Sequence, residues 1–178
     1  AGWFRQLWAE SLGKHLGRDG TEVFTGPTPV AAIGATDQHS QVQLFMEGPF
    51  DKVVTMVAVD DPGVDVTIPT GRDLPADLAY LGGHTLGELI RIEREATAAA
   101  LADRGRMNCT VRIPDLSARS IGELLMFLQI ATGFAGVYYG VDPFDQPGVE
   151  LGKTLTYGAL GRPGFEDRRP AAPPEGDV

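Results

Sequence analysis

Residues able to move protons or grip a polar ligand fall in three stretches. The densest is Gly136 to Lys153, GVYYGVDPFDQPGVELGK, which passes through Asp142 and Pro143 and then sets Phe144, Asp145, Gln146, Gly148, Val149, Glu150 and Lys153 in fixed spacing. Pro143 halts the preceding element and Pro147 stands where a helix can begin, so Gln146 is expected at a loop-to-helix junction. Lys153 then follows about two helical turns later. In the second stretch Gln6 and Glu10 lie four residues apart on a predicted helix and face the same way, which makes Glu10 a candidate proton carrier. The third holds His39, expected in the first turn of a helix, where the helix amino terminus favours an imidazole able to shuttle protons near neutrality. Each has a plain structural alternative. Lys153 and Glu10 can be solvated helix-face charges, and His39 can be hydrogen-bonded within its own loop.

The elements that must position these groups can be read along the chain. Phe4, Leu7, Trp8 and Leu12 share one face of a first helix that ends near Gly13. A polar loop is expected from Lys14 to Thr28, then a short buried strand over Val30–Ile33 closed by Gly34. The helix carrying His39 follows over Ala35–Gly48, capped by Thr36 or Asp37 and apolar at Val42, Phe45 and Met46. Lys52–Val59 is nearly all apolar, as a strand buried on both faces would be, and Val64–Ile68 alternates like an edge strand. Pro69–Gly83 reads as a loop with a brief helical turn over Ala76–Tyr80. Thr85 to Glu88 is a capping box opening a long helix that stops near Gly105, with His84 just before it. Asn108–Ile113 is a strand halted by Pro114, and Ser120 to Glu123 repeats the capping box ahead of an apolar helix through Ala135. His15 and His84 are expected to be exposed and structural. The alternation of strand and helix predicts a layered α/β domain with a mainly parallel sheet.

Composition narrows the function class. The 178 residues suit one domain, and 43% apolar with 22% charged residues is ordinary for a soluble globular chain. No apolar run is expected to reach the roughly 20 residues of a membrane span. The net charge of −9 argues against binding a nucleic-acid backbone, although a few local donors can still hold a small phosphorylated ligand. The single cysteine, Cys109, allows no internal disulfide or cysteine metal cluster and is expected to fill a strand as a small apolar residue, in a reducing compartment. The chain begins AGWFRQLWAE, without Met and already helical in pattern, so it reads as a piece of something longer. From Arg162 a Pro- and charge-rich tail is expected to be poorly ordered, with Phe165 docking its first part.

The stretch from Gly136 to Lys153 resembles, position by position, a signature of the phosphoglucose isomerases. The resemblance extends to two further segments and covers nearly the whole chain. Glu10-Ser11 with Gly13-Lys14, preceded by Gln6, is similar to the family's catalytic-glutamate segment, and Asp37-Gln38-His39-Ser40 to the segment carrying its ring-opening histidine. Leu160-Gly161 and Pro163 to Glu166 are similar to the close of the bacterial form.

That resemblance implies a three-layer α/β/α sandwich of the sugar-isomerase (SIS) type, flavodoxin-like, truncated at its amino terminus. Residues 1–161 would form the carboxy-terminal SIS domain and residues 162–178 the tail. It implies interconversion of glucose 6-phosphate and fructose 6-phosphate, a step of glycolysis and gluconeogenesis, through ring opening and an enediol. Glu10 would carry the proton between adjacent carbons, because one carboxylate can take it up and return it next door. His39 would serve ring opening with Lys153 beside it, while Gln6 and Gln146 orient the sugar through amide hydrogen bonds. No metal or organic cofactor is implied. The implied partners are a phosphorylated hexose, a missing amino-terminal SIS domain with the phosphate-gripping loop, and a second copy in a cytoplasmic homodimer, with neither nucleic acid nor membrane. The fragment by itself would then be nearly inactive. Two other readings stay open: a phosphosugar-binding SIS module without chemistry, and a fusion of the isomerase to another enzyme.

Overall fold

The computed structural model describes residues 1–71 and 74–170. In order, the elements are α1 (Gly2–Leu12), β1 (Lys14–Leu16), β2 (Glu22–Thr25), α2 (Thr36–Glu47), β3 (Val54–Asp61), a 3-10 turn (Ala76–Leu81), α3 (Leu86–Asp103), β4 (Asn108–Asp115), α4 (Ala118–Tyr138), a 3-10 turn (Pro147–Val149) and α5 (Glu150–Ala159). The described residues divide into two compact units: one is built from the stretch 30–128, the other from residues 2–29 and 129–170.

The first unit is built on β3 and β4, which pair in parallel with Val54 beside Asn108 and Val59 beside Ile113. A parallel pair needs a crossover, and α3 supplies it. The expected α/β class and parallel pairing are present. Ala58, Leu101 and Ile113 are its buried apolar residues. Thr85 caps α3 as expected, its hydroxyl accepting from the Glu88 N–H at 3.1 Å, and Gly105 ends it in the left-handed conformation. Arg106 closes the carboxy terminus of α2, its guanidinium donating to the carbonyls of Met46 and Gly48 at 2.7 and 2.9 Å, where a cation also opposes the helix dipole.

Several expectations for this unit need correction. Val30–Ile33 forms no strand: Val30 and Ile33 are exposed, and Ile33 instead exchanges bonds with Asp37, donating to the carboxylate at 2.7 Å and accepting from the N–H at 2.8 Å. The α2 helix therefore starts at Thr36 after Ala35, without a side-chain cap. Strand β3 starts two residues later than expected and is not buried on both faces, since Val57 and Val59 face outward around buried Ala58. Val64–Ile68 contributes only a bridge between Thr67 and Thr85. Apolar composition alone does not show which runs find a neighbouring strand. Strand β4 runs through Pro114 to Asp115, as an edge position permits, and Cys109 on it is exposed rather than packed, 3.5 Å from the Thr55 hydroxyl. The cap of α4 is Ser117, not Ser120. The Ser117 hydroxyl accepts from the Ser120 N–H at 3.2 Å, while Asp115 accepts from the Ser117 N–H at 2.9 Å and the Ser120 hydroxyl at 2.6 Å. Ser117, then Ser120, hold the Asp115 carboxyl below its usual range.

In the second unit the expected polar loop after α1 is a short antiparallel hairpin, β1 with β2. Its turn is closed by Asp19, which accepts from the Thr21 N–H and hydroxyl, and its far end is tied by the Arg18 N–H to the Gly140 carbonyl at 2.8 Å. Helix α4 ends in a Schellman motif, with Gly140 left-handed at φ 69°, its N–H donating to Val137 and the Val141 N–H to Gly136 at 2.9 Å. Val141 is fully buried, as is Leu12 at the end of α1. Phe165 docks as expected, its ring 5.3 Å from that of Tyr157, with Arg162 stacked over both; residues 171–178 of the expected tail lie outside the described residues. By length and composition α4 is long and apolar enough to cross a membrane, with a mean hydropathy of 1.4 over 18 residues. This revises the expectation that no run comes near that length, because no charged residue falls between Glu123 and Asp142.

Candidate active site

The second unit gathers four of the five expected site residues. On α1, Gln6 and Glu10 project from successive turns and meet directly: the Gln6 carboxamide donates to Glu10 Oε1 at 3.1 Å. Both are exposed, so this carboxylate is oriented without being withdrawn from a ligand. Gln146 sits at the junction the two prolines predict, preceding the 3-10 turn that runs into α5. Lys153 lies on α5 and donates to Glu150 Oε1 at 2.7 Å. That carboxylate, bonded to it and attracting its charge, holds the ammonium above its ordinary value, and smaller contributions from Tyr157 and Glu10 act in the same direction.

The turn before Gln146 is held by packing against α4. Gly136 is buried, and a Cβ there would stand 2.7 Å from the Pro143 ring. The small residue that opens the motif is thus a seat for the proline that redirects the chain. Asp142 then accepts from the Phe144 N–H at 3.0 Å and closes the Asp-Pro turn.

Sequence reasoning misses the residue that joins these parts. Lys14 follows α1, and its sequence position predicts no more than the start of a polar loop. Its side chain is 4% exposed, and its ammonium donates to the Glu10 carbonyl at 3.0 Å and to the Asp145 carbonyl, with the Asp145 carboxylate at 3.1 Å. Nothing in the spacing marks a lysine as buried, because lysine is read by default as solvated.

His39 belongs to the first unit and is described there. It lies exposed in the first turn of α2, as expected, with its N–H donating to the Ala35 carbonyl at 3.3 Å, but no strand precedes that turn. Beside it is an open depression of about 300 Å³ lined by Ala35, Gln38, His39, Val42, Glu93 and Thr97. Gln38 bridges α2 to α3, its carboxamide donating to the Glu93 carbonyl at 3.0 Å and to the Thr97 hydroxyl. His15 and His84 are exposed and paired with Glu22 at 2.9 Å and Glu88 at 2.8 Å, in keeping with a structural role. Among the described residues no cluster of three or more His, Cys, Asp or Glu side chains is arranged to hold a metal.

Comparison with known proteins gives this arrangement a context. The chain is 52% identical over 169 residues to a glucose-6-phosphate isomerase of Carboxydothermus hydrogenoformans, and 52% identical over 165 residues to one of Rubrobacter xylanophilus. These alignments cover 95% and 93% of this chain but 36% of each relative, so the chain spans about a third of the length of the curated relatives it matches. Among solved structures it is similar to a hypothetical protein of Thermus thermophilus, with a TM-score of 0.83 at 46% identity over 90% of this chain and 38% of that one. It is also similar to a glucose-6-phosphate isomerase of Chlamydia trachomatis, with a TM-score of 0.76 at 25% identity over 90% of this chain and 32% of that one. The phosphoglucose isomerase family model matches residues 1–163, which takes in all three stretches that hold the candidate residues. The chain belongs to the phosphoglucose isomerase family.

Proposed function

We infer that this chain supplies the carboxy-terminal part of the active site of an aldose-ketose isomerase that interconverts glucose 6-phosphate and fructose 6-phosphate. The observation that carries the reading is the pair on α1, an exposed Glu10 carboxylate held by a hydrogen bond from Gln6. Isomerisation moves a proton between adjacent sugar carbons, and a held but exposed carboxylate can take it from one carbon and return it to the other. His39 and Lys153 serve ring opening, one passing a proton and the other supplying positive charge. Gln6 and Gln146 orient hydroxyls through hydrogen bonds of their neutral carboxamides, which fix position without adding charge beside Glu10. Residues 1–161 act as a sugar-isomerase (SIS) domain, completed by a phosphate-gripping domain and a second copy, in a cytoplasmic homodimer.

The test joins this chain to the part of the curated relatives' length that it does not span, which this reading takes to be amino-terminal. Fructose 6-phosphate turnover by the assembled protein, abolished by Glu10→Gln, supports the reading. Phosphosugar binding by a correctly folded assembly with no turnover would favour a binding module instead.

A further inference from the structure

We propose that Lys14 is a positioning residue of this site, the strut that fixes the Glu10 end of α1 against the loop carrying Gln146; this rests on the isomerase reading above. The structure gives Lys14 an unusual place for an ammonium. It is 4% exposed, and each polar contact it makes is to one of the two site segments: the Glu10 carbonyl, the Asp145 carbonyl and the Asp145 carboxylate. A buried ammonium is costly unless it finds acceptors and an opposite charge, and here two carbonyls accept from it and the Asp145 carboxylate stands 3.1 Å away. The two segments lie 131 residues apart in sequence, so nothing in the local backbone holds them in register. Asp145, the shared partner, is itself half-exposed and directly precedes Gln146. Lys14 therefore acts without touching the sugar. Its backbone bond to Glu10 sets where the carboxylate of that residue stands, and its bonds to Asp145 set where the Gln146 carboxamide begins.

The chemistry provides a readout that separates positioning from general support. Ring opening followed by reclosure interconverts the sugar anomers and needs no proton transfer at carbon, whereas isomerisation requires Glu10. In the assembled protein, Lys14→Met is expected to lower kcat for isomerisation at least tenfold while changing kcat for anomer interconversion less than threefold. Asp145→Asn, which leaves the two carbonyl contacts and perturbs the fold less, is expected to shift the same ratio in the same direction by a smaller factor. Equal loss of both activities in Lys14→Met and in Asp145→Asn would make Lys14 a merely structural lysine and overturn the proposal, as would unchanged isomerisation in a folded Lys14→Met. Glu10→Gln is the control on the underlying reading. If it leaves isomerisation intact, the isomerase assignment of Glu10 fails. If it abolishes isomerisation while Lys14→Met does not alter the ratio, the strut alone is wrong.

Discussion

Gly136 and Gly133 lie one turn apart on α4, and alanine should stabilise at Gly133 but not at Gly136. In an open helix, Gly→Ala stabilises by about 1 kcal/mol because it restricts the unfolded chain and improves helix propensity. At Gly133 nothing beyond its chain neighbours and the helix's own backbone lies within 4 Å of the point a Cβ would occupy, so that gain should be realised. At Gly136 the new carbon would stand 2.7 to 2.8 Å from three atoms of the Pro143 ring. Carbon atoms pack best at about 3.5–4.0 Å, so the ring must withdraw by about 1 Å or the helix end must unwind. Overpacking of this kind costs about 1–3 kcal/mol, which offsets the propensity gain and leaves Gly136→Ala neutral to about 2 kcal/mol destabilising. Urea unfolding midpoints at constant slope measure both variants, and Gly133→Ala should exceed Gly136→Ala by about 1–3 kcal/mol. Equal stabilisation by the two would refute the view that the motif begins with glycine in order to seat Pro143.

Other outcomes follow from the same packing. Truncating Leu101→Ala or Leu12→Ala, both fully buried, should each cost about 2–5 kcal/mol in chemical denaturation. Gly158→Ala would bring a Cβ to 1.7 Å from the Arg168 carbonyl, so residues 162–168 must leave α5, and limited proteolysis should cut there while the wild type is protected. Asp115 has a lowered pKa in the fold, so its stabilising effect is present above the ordinary carboxylate value of about 3.9 and fades as pH falls through the lower folded value. Asp115→Asn should accordingly lose stability at neutral pH, and the gap between the melting curves of variant and wild type should begin to close only below about pH 4.

How much of the fold is legible in the sequence depends on what each feature rests on. Signals local to one element are legible. The Thr85 cap, the glycine stop of α3 and the two prolines around Gln146 each act within a few residues, and the structure follows them. Val30–Ile33 and Val64–Ile68 carry strand-like composition, yet a strand exists only if a neighbour accepts its hydrogen bonds, and sequence does not name neighbours. The β1–β2 hairpin gives little sequence signal because its strands are three and four residues long and hold a lysine, a histidine and a glutamate among few apolar side chains. Within the site, Gln6 and Glu10 can be paired from helical spacing alone. The bond from Lys14 to Asp145 cannot, since it joins residues 131 apart and buries a residue type that composition assigns to solvent.

The central claim, that Glu10 carries a proton between sugar carbons, is tested most directly by exchange in deuterated water. The assembled protein is incubated with fructose 6-phosphate, and deuterium at the carbon next to the carbonyl is followed by NMR. With Glu10 intact, deuterium should enter that carbon at a rate comparable to turnover. With Glu10→Gln it should fall by about 10²–10⁴-fold, the range a positioned acid-base group contributes. Deuterium entering equally fast in both proteins would place the proton carrier elsewhere and contradict the account.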